Sequence, residues 1–474
     1  MRDRRVEGPM SRPAPVRSLR EWLQRLAANG RLAVVHPGIG LKHEAAAVAN
    51  RLDGMRATLF PRPGGHSGTI VSGLVSNRAW MAEALGTTED ALIAHYTGAA
   101  ADPMPWRELP TGPAQQVVHR DGIDILKLLP VPTLNEHDSG PYISAGLMIS
   151  RDPETGVQNV AILRCQISGP DRIGVLVLPR HTDNFYRKAE AAGRGLEVAL
   201  VVGVDPACLL ASQAIVPLGH DELEIAGALT GAPLDVVKCL TNSVRVPAEA
   251  EIVIEGRLLP EVREPEGPFG EFPQYYGERA KRHVMQVDAV THRQSPIFHM
   301  IVGGSLEHLL LGAIPREATI LATLRRSFPG VEDVHLSLGG VGRYHLYVKL
   351  RKTQDGEGKN VLLGAFAAHY DIKHAVVVDT DVDIHDPREV EWAVSTRFQA
   401  DRDLVVVAEA QGSKLDPSGR EGVGAKMGLD ATVPVGAPPM KFKRIAVPGQ
   451  AEVDLAAVID GDAEWRAAAG LPDD

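Results

Sequence analysis

The chain has 474 residues, 44% of them apolar and 23% charged, and a formal net charge of −10. A single hydrophobic core stops growing at roughly 250–300 residues, so two or three domains are expected. The acidic balance argues against a nucleic-acid or anionic-membrane partner, and three cysteines with neither CxxC nor metal-ligand spacing suit a reducing cytoplasm.

In chain order, residues 1–17 are rich in Arg and Pro and lead into no apolar h-region, so they read as a disordered N-terminus rather than a secretory signal. Residues 18–115 read as a small α/β domain. A capped helix at 18–29 opens it, strands are expected at 32–36, 58–60 and 69–73, and helices at 43–52, 79–85 and 88–96. Residues 116–304 turn toward β. Val- and Ile-rich runs at 143–150, 157–166, 172–178, 196–204, 251–259 and 283–293, with helices at 181–193 and 222–229, suggest a barrel-like or split β domain. Residues 305–450 return to alternating helix and strand, beginning with a long helical stretch at 306–328 interrupted at Pro315. An acidic tail follows at 451–474. No run of 18 apolar residues occurs, so no transmembrane helix is expected.

The most informative stretch is Glu266-Gly267-Pro268-Phe269-Gly270-Glu271, two carboxylates flanking a turn whose Gly and Pro set unusual backbone angles. Two acids aimed into one cleft can divide acid and base roles if their surroundings push their pKa values apart. In isolation the hexapeptide reads first as an ordinary surface turn with solvated glutamates. Asn159 and Arg164 lie among apolar neighbours in the run 157–166. Their odd separation puts them on opposite faces of a regular strand, so a bend or strand end is needed to bring both to one site. An Arg beside two glutamates would hold one of them ionised. Asn159, His181 and Glu222 offer an amide oxygen, an imidazole and a carboxylate, a set suited to Mn²⁺ or Mg²⁺. His181 and Glu222 also serve as ordinary helix-start residues. Lys414, in Ser413-Lys414-Leu415-Asp416-Pro417-Ser418, follows an apolar run and could meet a phosphate as a point charge, or simply be solvated. The chain has no P-loop and no GxGxxG after a strand, and Gly339-Gly340-Val341-Gly342 lacks a following helix. His308 and Arg316, eight apart on a helix, share a face that could clamp an anion or form a polar stripe.

In this order and at these separations, Asn159-x-x-x-x-Arg164, Pro179-Arg180-His181, Glu222, Glu266 to Glu271 and Ser413 to Ser418 resemble the UbiD family of decarboxylases. The likeness runs from about residue 20 to 450. The resemblance implies an α/β N-terminal segment, a central split β-barrel that binds flavin, and a C-terminal α/β domain that mediates dimerisation or higher assembly. It implies prenylated FMN, made by a separate flavin prenyltransferase and tethered through its phosphate to Mn²⁺ held by Asn159, His181 and Glu222. A K⁺ ion is implied near Ser212 and Ala214, sharing Glu222. Ile162, Leu163, Arg164, Arg180, His181 and Lys414 match cofactor-lining positions, and Arg164, Glu266 and Glu271 match the catalytic network, with Glu271 protonating the carbon that CO₂ leaves. Arg at 180, where ferulic acid decarboxylase has Gln, argues against a cinnamate-type substrate. The Glu307-His308…Pro315-Arg316 segment resembles the furan and pyrrole carboxylate branch, so the expected substrate is an aromatic or heteroaromatic acid, furan-dicarboxylate-like. A hydroxybenzoate, polycyclic or acrylic acid, or a flavin-binding protein without activity, are the alternatives.

Overall fold

The computed structural model describes residues 13–458 and 468–470. Residues 1–12 of the expected disordered N-terminus and most of the expected acidic tail therefore lie outside the described residues. At 13–17 the chain is packed, because Val16 is buried and its N–H reaches the Ala84 carbonyl at 2.9 Å. Residues up to Thr432 form one compact unit. Residues from Val433 form a second, whose described part holds a 3₁₀ turn, Gln450–Glu452, and a short helix, Leu455–Val458.

The first helix, Leu19–Ala28, starts where Ser18 accepts the Glu21 N–H, and it buries Leu19, Trp22, Leu23 and Leu26. These positions form one helical stripe. The N-terminal sheet orders Leu32–Val34, Ala57–Pro61, Thr69–Ser72 and Ile297–His299. Its last strand comes from far along the chain and pairs parallel to the third, Phe298 opposite Ile70.

The central sheet has nine strands. Its spine is two long antiparallel strands, Ile252–Glu266 and Ala280–His292, paired as far as Glu266 opposite Ala280. Beside them runs Leu196–Val202, whose side chains alternate between two cores. Ala199 and Val201 pack with Leu147 and Ile149, whereas Val198, Leu200 and Val202 pack with Met148. Burial on both faces is why this strand reads as an unbroken apolar run. The strand path ends at Tyr142–Ile143 on one side and Gln158–Ile162 on the other. The chain itself links these ends, since Gln158–Ile162 leads through Leu163 and Arg164 into Cys165–Gly169, the neighbour of Tyr142–Ile143. The architecture is mixed α/β with a split β-barrel at its centre.

The C-terminal sheet orders Val331–Leu336, His345–Leu350, His374–Val378, Val423–Ala431 and Leu404–Gln411. Against it lies the helix Leu306–Ser327. It runs through Pro315 without the expected interruption. Proline costs an interior helix about 3 kcal/mol through a lost hydrogen bond and a ring clash. Here Ile314, Pro315 and Ala318 are all buried, and the packing of 22 residues outweighs that local cost. Among the described residues no helix is long and apolar enough to cross a membrane.

Candidate active site

The run 157–166 is not one strand. The ladder stops at Ile162 and resumes at Cys165, leaving Leu163 and Arg164 in a break. That break is the bend the odd Asn159–Arg164 separation requires, and it turns the Arg164 side chain toward the end of the long strand. There Arg164 meets both acids of the hexapeptide. Nη2 donates to Glu266 Oε2 at 2.8 Å and Nη1 to Glu271 Oε1 at 2.6 Å. Glu266 is the last residue of Ile252–Glu266. Glu271 follows the two-residue strand Phe269–Gly270, which pairs with Tyr276–Gly277. Gly277 is required by the contact itself, because a Cβ there would stand 2.3 Å from Arg164 Nη1.

Arg164 and Glu266 are buried, and 13% of the Glu271 side chain remains exposed. Burial alone would lower the pKa of Arg164, but Glu271 and Glu266 together raise it. For Glu271 burial wins. Its pKa is raised despite the charge and hydrogen bond of Arg164 and the nearby charge of Arg343. One guanidinium thus serves two acids, and burial raises the pKa of one of them, Glu271.

On the other side of the break, Asn159 Oδ1 and His181 Nδ1 stand 3.1 Å apart, and Asn159 Nδ2 donates to Thr182 Oγ1. His181 and Glu222 each open a helix, His181–Ala191 and Glu222–Thr230. Glu222 is buried, and its Oε2 accepts the Val160 N–H at 2.7 Å, one residue from Asn159. Burial pushes its pKa up to about 8, with the Val160 N–H only partly offsetting it. Burial also lowers that of His181, helped by Arg180 and His220. A buried carboxylate with a single backbone donor, an amide oxygen and a neutral imidazole make a donor set of the kind that fits a divalent cation. Among the described residues no group of three His, Cys, Asp or Glu side chains is placed to hold a metal, so the amide of Asn159 is essential to this reading. Ser212 and Ala214 lie just after the helix Pro206–Ala211 and make local bonds, Ser212 Oγ to Leu209 O and the Ala214 N–H to Ala211 O.

Ile162 ends the strand before the break, Leu163 lies within it, and Arg180 precedes the helix His181–Ala191. Arg180 Nη2 donates to the Tyr370 hydroxyl, joining the barrel to the C-terminal sheet region. A small open cleft there is lined by Tyr344, Tyr370, Asp371, Lys373, Ser413 and Lys426, among others. Lys414 is exposed next to it. Asp416 and Ser418 of the same segment are held by Lys373, at 2.7 and 2.5 Å.

His308 and Arg316 do share a buried region, with a second guanidinium, Arg343, that sequence reasoning missed. Arg316 Nη1 donates to Gly312 O at 2.6 Å, and its Nε has no partner and lies 4.0 Å from Asp371 Oδ2. Arg343 stacks over Phe272, 3.8 Å from the ring centroid, and its Nε is likewise unpartnered. Burial and the two arginines push His308 down to about 3. Burial and Arg343 push Arg316 down to about 9, so it is still charged at neutral pH. The pocket therefore holds two desolvated guanidiniums, with Asp371 as the carboxylate nearest to Arg316. The signal for Arg343 was the glycine-rich turn just before it. Tyr142, whose hydroxyl lies 3.0 Å from Glu266 Oε1, was also missed, and its sequence context carries no signal.

Models of 3-octaprenyl-4-hydroxybenzoate carboxy-lyase (UbiD) match along the chain: the N-terminal domain over residues 23–99, the Rift-related domain over 107–306 and the C-terminal domain over 309–431. The UbiD-class enzyme HmfF from Pelotomaculum thermopropionicum, solved in complex with FMN, superposes with a TM-score of 0.92 at 49% identity, covering 93% of this chain and all of that one. An evolved dimeric form of HmfF in complex with prFMN gives 0.88 at 46% identity, covering 94% of this chain and all of that one. Anhydromevalonate phosphate decarboxylase from Methanothermobacter thermautotrophicus is 37% identical over 378 residues, 80% of this chain and 88% of the relative.

Proposed function

Since the chain belongs to the UbiD family and is a carboxy-lyase, we propose that it reversibly decarboxylates an aromatic or heteroaromatic acid, furan-dicarboxylate-like, with prenylated FMN and Mn²⁺. The observation that carries this reading is Arg164 bonded at once to Glu266 and Glu271. Prenylated FMN would supply the electron sink into which the bond to CO₂ breaks. Asn159, His181 and Glu222 would hold the Mn²⁺ that meets its phosphate, with Ile162, Leu163, Arg164, Arg180 and Lys414 along the cofactor. K⁺ at Ser212, Ala214 and Glu222 rests on the resemblance alone. A separate flavin prenyltransferase would supply the cofactor, and the chain would assemble as a homodimer or larger homo-oligomer.

The residues divide the work by charge. Glu271, whose pKa burial raises, would in its protonated form give its proton to the carbon vacated by CO₂. Arg164 then stabilises the carboxylate that remains, and solvent returns the proton. Arg316 and His308, with Arg343 beside them, would orient the substrate through an anionic or hydrogen-bonding group at its far end.

A phosphorylated acid is the second reading. The relative named above acts on a phosphate-bearing substrate, and paired guanidiniums serve phosphate as well as carboxylate. The test is protein co-produced with a flavin prenyltransferase, incubated with furan-2,5-dicarboxylate, 2-furoate, hydroxybenzoates and phosphorylated acids while CO₂ is followed. Release from the dicarboxylate at a kcat/KM well above that for 2-furoate supports the first reading. Release from a phosphorylated acid alone replaces it, and release from none of these acids removes the substrate class.

A further inference from the structure

The hydroxyl of Tyr142 makes more contacts with the hexapeptide than any single donor needs. It lies 3.0 Å from Glu266 Oε1, 3.0 Å from Ser139 Oγ, 3.2 Å from Gln166 Oε1 and 3.5 Å from Pro268 O, and it accepts the Gly267 N–H at 3.1 Å. Its ring is fully buried against Phe269, and the strand Tyr142–Ile143 pairs with Cys165–Gly169, immediately after Arg164.

A phenol has one proton to give and two lone pairs to fill. Gly267 fills one lone pair and the Ser139 hydroxyl can fill the other. Gln166 Oε1 already receives the Gly267 N–H at 3.1 Å, so the strongest acceptor left for the phenolic proton is the Glu266 carboxylate. Glu266 then receives a donor on each oxygen, Tyr142 on Oε1 and Arg164 on Oε2. A proton placed on Glu266 would face donors on both sides. Glu271 differs. Arg164 occupies its Oε1, and among the described residues its Oε2 has no hydrogen-bond partner.

We propose that Tyr142 is a positioning residue that decides which acid of the pair is protonated, fixing Glu266 as the carboxylate and leaving the proton on Glu271. This rests on the acid role proposed for Glu271. The other ionisable groups against the pair are Arg164, Arg343, which faces Glu271, and the Cys165 thiol, which burial keeps protonated. Burial also raises the pKa of Tyr142, so the phenol stays a donor.

The test is Tyr142→Phe in the holoenzyme, with folding checked by circular dichroism and flavin uptake. Without the hydroxyl the single proton is shared between two coupled acids. At neutral pH kcat should fall roughly tenfold to a hundredfold, the effect of losing a hydrogen bond to a charged group, with KM unchanged. Activity should return as pH is lowered, because more of the Glu271 carboxyl is then protonated. Packing damage would lower kcat equally at every pH. A variant within twofold of wild type, or one slow by the same factor across the pH range, overturns the proposal. Neutron diffraction from the wild-type holoenzyme decides the matter without a variant. Deuterium on Glu271, with the Tyr142 deuterium directed at Glu266, is expected. Deuterium on Glu266 overturns the assignment of Tyr142 while leaving the decarboxylase reading intact.

Discussion

Among the described residues, two of the buried clusters of Glu with basic partners are opposite in design. In one, Arg164 serves Glu266 and Glu271. In the other, Glu317 in the helix Leu306–Ser327 is served by Arg78 at 2.7 Å, His335 at 3.0 Å and the Leu336 N–H at 2.8 Å. Burial would raise the pKa of Glu317, but Arg78, His335 and the Leu336 N–H together bring it down to about 2. With two bases to one acid, every oxygen is satisfied and the charge is fixed. With two acids to one base, burial prevails at Glu271 and raises its pKa. The ratio of acids to bases, rather than burial, separates a cluster that ties elements together from one that can move a proton.

The largest way to break this contrast is Glu271→Gln. The amide keeps the size and the bond to Arg164 but has no proton to give, so turnover should fall by about 10²–10⁴-fold with flavin still bound. Steady-state kinetics on the holoenzyme check it, and retained full activity would remove Glu271 from the acid role. Glu317→Gln is the counterpart. It leaves Arg78 buried without its counter-charge and should cost about 3–5 kcal/mol of stability, read by denaturant or thermal unfolding. Equal effects of both substitutions on melting temperature would refute the division into fixed and mobile charge.

pH sharpens the same contrast, because the two shifts have opposite signs. Glu317 is depressed from 4.5 to about 2, so its stabilisation is present above pH 4.5 and is lost as pH falls toward 2. Glu271 is raised, and its acid role needs the protonated form. Activity should therefore be present below its pKa and fall as pH rises through it. Acid unfolding curves and kcat–pH profiles read the two limbs separately, and Glu317→Gln should flatten only the first.

What the sequence made legible follows the same division between local and distant causes. The helix Leu19–Ala28, the alternation along Leu196–Val202 and the turn between Glu266 and Glu271 were all visible because each depends on neighbours a few residues away. The odd spacing of Asn159 and Arg164 meant only that both could meet at one site if a strand bent or ended, and the ladder does break at Leu163. Pro315 was misread as an interruption because propensity is local while the packing that overrides it is not. Asn159 and His181 are adjacent through a fold-level crossing that no spacing rule encodes. Tyr142 lies 124 residues from Glu266 in a segment that reads as an ordinary strand start.

The cations of the far pocket extend the comparison to a place where no acid is close enough to bond. Arg316 Nε is 4.0 Å from Asp371, too far for a hydrogen bond, so Asp371 and the Gly312 carbonyl offset its desolvation only in part and an arriving anion would add to them. Arg316→Met should raise KM for a dianionic substrate by about 30-fold or more, ~2 kcal/mol, and leave kcat for a monoanionic acid much less changed. Equal losses on both substrates would place Arg316 outside the binding pocket.

The smallest expected effect tests the arrangement of those cations most closely. Gly312 lies in the middle of the helix, where alanine would ordinarily stabilise by about 0.5–1 kcal/mol. A Cβ there would stand 3.0 Å from Arg343 Nη2, 3.1 Å from its Nε and 3.4 Å from Arg316 Nη1, so both guanidiniums would have to yield by a few tenths of an ångström. These are the ends of flexible side chains, and yielding costs little until an anion needs both in register. Gly312→Ala should therefore raise the melting temperature slightly while raising KM for the dianionic substrate a few-fold. Opposite signs in the two measurements would show that the helix gives up intrinsic stability at this position to let two positive charges converge. A gain in both would show that the guanidiniums do not act together.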